Sequence, residues 1–267
     1  MKRIVAMLLA VLMIVGLTAC GAKKFDSDAA YVKDKGVLVV GITDFAPMDY
    51  KEAGSDEWVG FDADMARLFG EYLGVKVQFV EITWGQKVNE LNSKSIDCVW
   101  NGMTLNDEVK AAMGTSVPYC LNAQVLVVPA DKAADFSGKT DLSGITVAVE
   151  SGSAGEDAAV ALGASTVAVE KQADTLMEVA AGTSDAAVID LLMAGAMIGE
   201  GTSYDNLTWV LNLNEMQNLE SEEYGVGFRK DSDLVAAYNA FWAEKVADGT
   251  AMEIAVTYGV QESIIEE

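Results

Sequence analysis

The chain of 267 residues has no histidine, and this absence removes the commonest general base and the commonest metal ligand of proteins together. Cysteine is scarce too, with only Cys20, Cys98 and Cys120. Two thiols without histidine make a poor zinc site, so we expect neither a metal nor another cofactor. The sequence leaves two states open for Cys98 and Cys120, a disulfide and a pair of free buried thiols.

Basic residues are few as well. There are 18 Lys and Arg against 41 Asp and Glu, which gives a formal net charge of −23. Nucleic acid and anionic membrane surfaces would repel such a chain, so neither is expected as a partner. Apolar residues make up 51% of the sequence, enough to bury a core. The charge suits an exported protein and leaves room for a cationic ligand.

The apolar run at the N-terminus is too short to cross a membrane. It extends over 14 residues from Ile4 to Leu17, whereas a membrane-spanning helix needs about 20. A basic start, a short apolar run and small residues before Cys20 are typical of a secretory signal, which we assign to residues 1–19.

The end of this signal carries a second pattern. Leu17-Thr-Ala-Cys20 resembles the lipobox of bacterial lipoproteins, in which the cysteine is lipidated and becomes the new N-terminus. Residues 20–34 would then be the lipid anchor and a tether. An ordinary signal peptide that contains a cysteine is the alternative. The lipobox interpretation predicts an extracytoplasmic protein, held at the cell membrane by the lipid on Cys20 alone.

Short β-branched runs alternate with amphipathic segments from Gly36 onward. This pattern predicts strands at 37–42, 75–80 and 96–100 and helices at 62–73 and 87–91. It restarts after Pro129, with strands at 145–149, 166–169 and 186–189. Strands separated by helices predict an α/β fold with mostly parallel sheets covered on both faces, which bind ligands at the carboxyl ends of their strands.

Two extended segments, 124–128 and 224–228, are predicted to cross between the two halves. They divide the chain into lobe 1, residues 35–127 plus 222–267, and lobe 2, residues 128–221. Two lobes joined by two strands would enclose a cleft that closes by hinge motion, here expected near Pro129 and Ser221.

Six motifs follow one another along the chain: FAPMDY at 45–50, VGFDAD at 59–64, IDCVWNGMT at 96–104, SVPY at 116–119, EYGVGF at 223–228 and DGT at 248–250. With these the chain resembles the polar amino-acid family (family 3) of bacterial extracellular solute-binding proteins, over nearly all of residues 35–260. The resemblance implies a two-lobed, type II periplasmic-binding-protein-like fold with two hinge strands. It also implies a monomer that captures an amino acid, or a closely related amine, for an ABC permease.

The resemblance further implies a ligand site at the loops of the cleft. Its predicted members are Asp44, Phe45, Trp84, Trp100, Asn101, Gly102, Thr104, Glu150, Gly152, Ser153 and Asp190. Phe45 and Trp84 would be aromatic walls that enclose the apolar part of the ligand. Asp190 would be the anionic partner of the ligand's amino group.

Two loops would complete this site. Asn101, Gly102 and Thr104 form a turn whose carbonyls and hydroxyl would receive an ammonium group. Gly152 and Ser153 open a helix, and helix N-termini present free N–H groups to a carboxylate.

One position departs from the family. An arginine that normally stands five residues beyond the threonine of the Gly-x-Thr turn, and grips the ligand's carboxylate, is Val109 here. Lys110 lies one step around a helix and lacks the planar fork of arginine. Since Glu150 could add a negative charge, we expect a strongly anionic cleft. The ligand is then either an amino acid held by the helix N-terminus, with or without help from Lys110, or a cation without an α-carboxylate, such as a polyamine or a quaternary amine.

An enzyme is the other class to consider, because dehydratases of aromatic-precursor acids resemble this fold. Asp190 and Glu150 are the only candidates for an acid or base in the cleft. The missing arginine counts against polyanionic substrates. We therefore expect a binding protein without catalytic residues.

Overall fold

The computed structural model describes residues 25–266, so the signal and Cys20 lie outside the described residues. The described chain folds from the helix α1 (Asp28–Lys35) onward, with the Ser27 hydroxyl accepting a hydrogen bond from the Ala30 amide at its N-cap. Val32 of this helix is fully buried in the core. The prediction of a tether over residues 20–34 is therefore wrong for its last part, since burial of one apolar side chain docks this short helix.

Ten further helices and thirteen strands follow α1. The helices are α2 (Phe61–Leu73), α3 (Lys87–Ser93), α4 (Asp107–Ala112), α5 (Ala133–Phe136), α6 (Ala154–Ala161), α7 (Gln172–Ala181), α8 (Leu191–Met197), α9 (Leu213–Met216), α10 (Leu234–Ala247) and α11 (Thr250–Tyr258). Short 3-10 turns span Trp84–Gln86, Ala130–Lys132 and Gln261–Ser263. Within residues 25–266, no helix combines the length and apolarity needed to cross a membrane.

The strands form two larger sheets and one hairpin. They are β1 (Val37–Ile42), β2 (Tyr50–Lys51), β3 (Trp58–Val59), β4 (Lys76–Glu81), β5 (Cys98–Thr104), β6 (Gly114–Thr115), β7 (Cys120–Asn122), β8 (Gln124–Pro129), β9 (Thr146–Glu150), β10 (Ser165–Val169), β11 (Ala186–Asp190), β12 (Leu207–Asn212) and β13 (Glu222–Phe228). Strands β2 and β3 form the hairpin.

Each large sheet is mixed. In lobe 1 the order is β4-β1-β5-β13-β6, with β7 also paired to β13. Strand β1 is parallel to β4 and β5, whereas β13 is antiparallel to its neighbours. In lobe 2 the order is β10-β9-β11-β8-β12; β9 is parallel to β10 and β11, and β8 is antiparallel to β11 and β12. The predicted α/β fold with two lobes is confirmed.

The first crossing between the lobes differs from the prediction. Strand β7 pairs in the sheet of lobe 1, and β8 lies inside the sheet of lobe 2, between β11 and β12. The chain therefore changes lobes at Ala123, and the predicted boundary after residue 127 and hinge at Pro129 are wrong. The return crossing lies between α9 and β13, close to the predicted Ser221.

Three apolar clusters stabilise this arrangement. The core of lobe 1 contains an aromatic group around Phe69, Trp100 and Tyr238, in which the rings of Trp100 and Tyr238 lie 5.0 Å apart, edge to face. Lobe 2 has its own cluster on β8, β9 and β11. The third cluster joins Trp84 and Val109 beneath the cleft. Cys98 and Cys120 are both buried free thiols.

Candidate functional site

A cavity lies between the two sheets, at the carboxyl ends of the parallel strands. The cavity is small, with an enclosed volume of about 30 Å³. Its lining consists of Thr43, Phe45, Trp84, Lys87, Asn101, Gly102, Met103, Thr104, Asn106, Val109, Gln124, Glu150, Gly152, Ser153, Ala154, Gln172 and Asp190. Nine of the eleven predicted ligand residues are thus brought together.

The two aromatic walls come from loops that follow strands. Phe45 stands after β1 and is 3% exposed, and Trp84 opens a 3-10 turn after β4 and is 7% exposed. The ring of Phe45 meets the ring of Tyr224 edge to face, with centroids 6.3 Å apart. The rings of Phe45 and Trp84 give the cavity an apolar surface, and polar groups of the lining lie next to them.

Gly102 brings the backbone close to Phe45. Its φ is +54°, and a Cβ at this position would lie 2.3 Å from Cε1 of Phe45. Its amide donates to Oδ2 of the buried Asp62 at 2.7 Å. Burial raises the pKa of Asp62 to about 7. This hydrogen bond to a buried side chain of lobe 1 fixes the position of the turn.

Asn101 and Thr104 use their side chains inside the protein. Asn101 Nδ2 donates to the Thr43 hydroxyl at 2.8 Å, and the Thr43 backbone amide donates to Asn101 Oδ1 at 2.9 Å. The Thr104 hydroxyl donates to Oε2 of Glu222 at 3.1 Å. Both side chains therefore hold the shape of the cavity, and a ligand would meet mainly their edges and backbone.

Asp190 ends β11 and is surrounded by donors. Its Oδ1 accepts from Tyr224 Oη at 2.7 Å, from Gln124 Nε2 at 3.0 Å and from Asn122 Nδ2. Its Oδ2 accepts from Gln172 Nε2 at 2.6 Å. Because Asn122 and Tyr224 belong to lobe 1, this buried carboxylate links the lobes and has a fixed orientation.

The two carboxyl groups of the cavity carry protons to different extents. Burial, with a further contribution from Glu222, raises the pKa of Asp190 to about 6. Burial and then the charge of Asp190 raise the pKa of Glu150 to about 8, against the opposing effect of Lys87. At neutral pH Asp190 is mainly ionised and Glu150 mainly protonated, so the cavity is less anionic than the sequence suggested.

Glu150 also has an unused oxygen. Its side chain is 4% exposed, and Oε1 has no hydrogen-bond partner among the described residues. A buried polar atom without a partner is costly, so this carboxyl gains from any group that hydrogen-bonds to it.

The start of α6 is capped by its own residues. The Ser153 hydroxyl accepts from the Glu156 amide at 3.1 Å, and the Glu156 carboxylate accepts from the Gly152 amide at 2.7 Å. Ser153 is the N-cap and Gly152 precedes the helix, so these bonds satisfy one free N–H of the first turn, that of Glu156, and tie Gly152 to the helix. The first-turn amides of Ala154 and Gly155 follow directly on Gly152 and Ser153, the pair predicted to face an anion.

Lys87 lines the cavity but was not among the residues predicted for the site. It begins α3, with Nζ 4.7 Å from the ring centroid of Trp84. Nζ donates to the Gly152 carbonyl of lobe 2 at 3.0 Å and to the Trp84 carbonyl at 3.4 Å. Burial lowers the pKa of Lys87, against the charge of Glu150. The available signal was its position three residues after Trp84, since such residues meet on one face of a helical turn.

Two predicted residues lie elsewhere. Trp100 is 1% exposed and packs in the core of lobe 1, because every residue of β5 except the last is buried and the strand has no solvent face. Asp44 is exposed and lies outside the cavity. Lys110, considered as a substitute for arginine, is exposed and borders a different groove. Val109 does line the cavity.

Contacts across the mouth join the lobes. Lys171 Nζ and Glu81 Oε1 are 2.5 Å apart, and the Thr83 hydroxyl donates to Glu170 at 3.3 Å. Both pairs are exposed, and exposed ion pairs contribute about 0–1 kcal/mol. These exposed pairs therefore add little to the buried hydrogen bonds of Asp190 that also join the lobes.

Comparison with known proteins gives a consistent result. Residues 38–261 match the model of the bacterial extracellular solute-binding proteins, family 3. The arginine-binding extracellular protein ArtP of Bacillus subtilis (strain 168) is 29% identical over 256 residues, which cover 93% of this chain and 94% of ArtP.

Solved structures agree. The arginine-bound form of truncated ArgBP from T. maritima is 33% identical to this chain, with a TM-score of 0.71. The match covers 80% of this chain and 98% of the ArgBP chain. The ancestral amino acid-binding protein AncCDT-1, described as a precursor of cyclohexadienyl dehydratase, is 28% identical with a TM-score of 0.75; the match covers 87% of this chain and 99% of that protein.

Proposed function

Because the chain belongs to the bacterial extracellular solute-binding proteins of family 3, we propose that it captures an amino acid between its lobes and delivers it to an ABC permease. The observation that carries this proposal is Asp190, a buried, mainly ionised carboxylate that lines the cavity and is oriented by four donors. A fixed negative charge beside two aromatic walls suits an α-ammonium group. The relatives that bind arginine or other amino acids support the same ligand class.

The capture step is closure of the lobes around the ligand. Groups from both lobes border the cavity, so a ligand that contacts all of them stabilises the closed form over the open one. The permease would then recognise the closed form. The protein acts as a monomer in this proposal, since one chain supplies the whole lining.

A thermal-shift screen of residues 25–267 tests the ligand class. Each amino acid is compared with the amine formed by its decarboxylation. A ligand at about 100 times its Kd should stabilise the protein by about 2.7 kcal/mol. Stabilisation by at least one amino acid, without turnover of it on long incubation, supports the proposal. Turnover would instead support an enzyme of the dehydratase type.

A cation without an α-carboxylate is the second candidate, and Val109, which lines the cavity where the family usually has an arginine, favours it. Stabilisation by polyamines or quaternary amines, with no response to any amino acid, would replace the first proposal with this one.

We also propose that residues 1–19 are removed and that Cys20 carries the lipid that anchors the protein outside the cytoplasm. This rests on the Leu17-Thr-Ala-Cys20 pattern and on the extracellular family of the chain. The test is the change Cys20→Ser, which should release the protein from membranes and abolish its labelling by fatty acid. Membrane attachment that persists in this variant would contradict the proposal.

A further inference from the structure

Lys87 is a partly buried cation that has no salt bridge to a carboxylate within residues 25–266. Its Nζ contacts two backbone carbonyls and the face of the Trp84 ring. The acidic groups that raise its pKa, against the larger lowering by burial, are Glu150, Glu108 and Asp157. Removing an ammonium from water without a bonded anion costs free energy, so an anion placed at Nζ would be bound favourably.

The start of α6 lies at the same corner of the cavity. Lys87 Nζ is bonded to the Gly152 carbonyl, and the next residues lead directly into the first turn of α6. The bonds of Ser153 and Glu156 leave the amides of Ala154 and Gly155 as donors, and Ala154 lines the cavity. The positive end of the α6 dipole and the Lys87 ammonium therefore both favour an anion at this corner of the cavity.

A second, independent observation comes from Glu150. This buried carboxyl lines the same cavity, has an unpartnered Oε1 and is mainly protonated at neutral pH. A protonated carboxyl can donate a hydrogen bond to an anion. The corner thus combines an ammonium, helix amides and a neutral acid, all suited to a carboxylate.

Val109 stands on α4 where the family usually has an arginine. A cation at this corner must therefore come from another element, and Lys87 on α3 provides it. Val109 borders the cavity, as Lys87 does, and packs in the apolar cluster with Trp84. We infer that Lys87, with the first turn of α6, binds the α-carboxylate of the ligand and so selects amino acids over the corresponding amines. This inference rests on the proposed function, because it assigns the opposite end of the ligand to Asp190.

The change Lys87→Gln tests the inference by isothermal titration with one amino acid that the wild type binds and with its decarboxylated amine. Loss of a charge-assisted bond should weaken the amino acid by about 10- to 100-fold. Binding of the amine should not weaken, because the change removes repulsion between two cations. Lys110→Gln is the matched control and should change neither affinity.

Two further variants separate charge from packing. Lys87→Arg keeps the cation and should keep the preference for the amino acid. In the Lys87→Gln background, Val109→Arg returns a cation to the same corner and should restore part of that preference. If Lys87→Gln fails to fold, the Lys87→Arg and single Val109→Arg proteins still report on the preference.

The outcomes distinguish this inference from the proposed function. An unchanged ratio of amino-acid to amine affinity in Lys87→Gln, with amino-acid binding by the wild type, would overturn the inference alone. An equal loss of preference in Lys87→Arg and Lys87→Gln would also overturn it, because packing and not charge would then be responsible. A wild type that binds no amino acid would overturn the proposed function itself.

Discussion

Single residues set the shape of the cavity, and Gly102 is the clearest case. Its φ of +54° is unfavourable for other residues, and a Cβ would lie 2.3 Å from Phe45 Cε1. Gly74 has a similar φ of +75° but no atom within 4 Å of its Cβ position. The two glycines therefore separate backbone strain from crowding of the aromatic wall.

We expect Gly74→Ala to lower the free energy of unfolding by about 1 kcal/mol through strain alone. Gly102→Ala should lower it by about 1–3 kcal/mol more, because Phe45 must move, and should also weaken ligand binding. Urea denaturation and ligand titration measure both effects. Equal losses in the two variants would contradict the close approach of Phe45.

Glu150 predicts a dependence of stability on pH. Its pKa rises from 4.5 in the unfolded chain to about 8 in the folded protein. Its contribution to stability is present below the lower value and is lost as the pH rises through the higher one. Between about pH 6 and about pH 9, the wild type should lose about 3 kcal/mol of unfolding free energy relative to Glu150→Gln. Parallel pH profiles of the two proteins would exclude a raised pKa.

At this scale the family resemblance predicted the aromatic walls and Asp190, and their positions at or after strand ends supported a place in the cleft. It placed Trp100 in the site wrongly, since a strand buried on both faces has no alternation to indicate direction. It missed Lys87 because the search for a cation followed the arginine position along α4. The cation comes from α3, and only the packing of the two elements brings it to the cavity.

Among the elements, α1 deserves a test because it lies where a tether was predicted. Its Asp28 pairs with Arg229 at 2.9 Å, and its Lys35 pairs with the fully buried Asp97 at 2.5 Å. Val32 adds buried apolar surface. The helix therefore completes an ion network on lobe 1.

A chain that begins at residue 36 should be less stable than one that begins at residue 25 by about 3 kcal/mol. The loss combines the burial of Val32 with two ion pairs to buried groups. Val32→Ala in the longer chain should account for about 2 kcal/mol, whereas the exposed Lys33→Ala should change stability by less than about 0.5 kcal/mol. Equal stability of the two chains would mean that residues 25–35 act as a tether after all.

The elements also mark the limit of prediction from periodicity. Alternation located eight of the thirteen strands of the described chain to within a few residues, and helical spacing located α2 and α3, because these signals are local. The crossing between the lobes was misplaced because it is a single residue, Ala123, between two short strands that belong to different sheets. Pairing partners, and not the strand sequences, decide that boundary.

For the whole molecule, the balance of weak and strong contacts predicts ligand-driven closure. The exposed pair of Lys171 and Glu81 contributes little, whereas a ligand would join the groups of both lobes around the cavity. Small-angle scattering should show a smaller radius of gyration at saturating ligand. A compound that gives no thermal shift is the control. An unchanged radius with bound ligand would exclude closure as the capture step.

The most direct test of the whole account is a crystal structure of the protein with the amino acid that stabilises it best. The account predicts the ligand between the lobes, with its amino group beside Asp190 and its carboxylate in contact with Lys87 Nζ and the Ala154 amide. A reversed ligand, a carboxylate bound at Lys110, or density outside the cavity would contradict it.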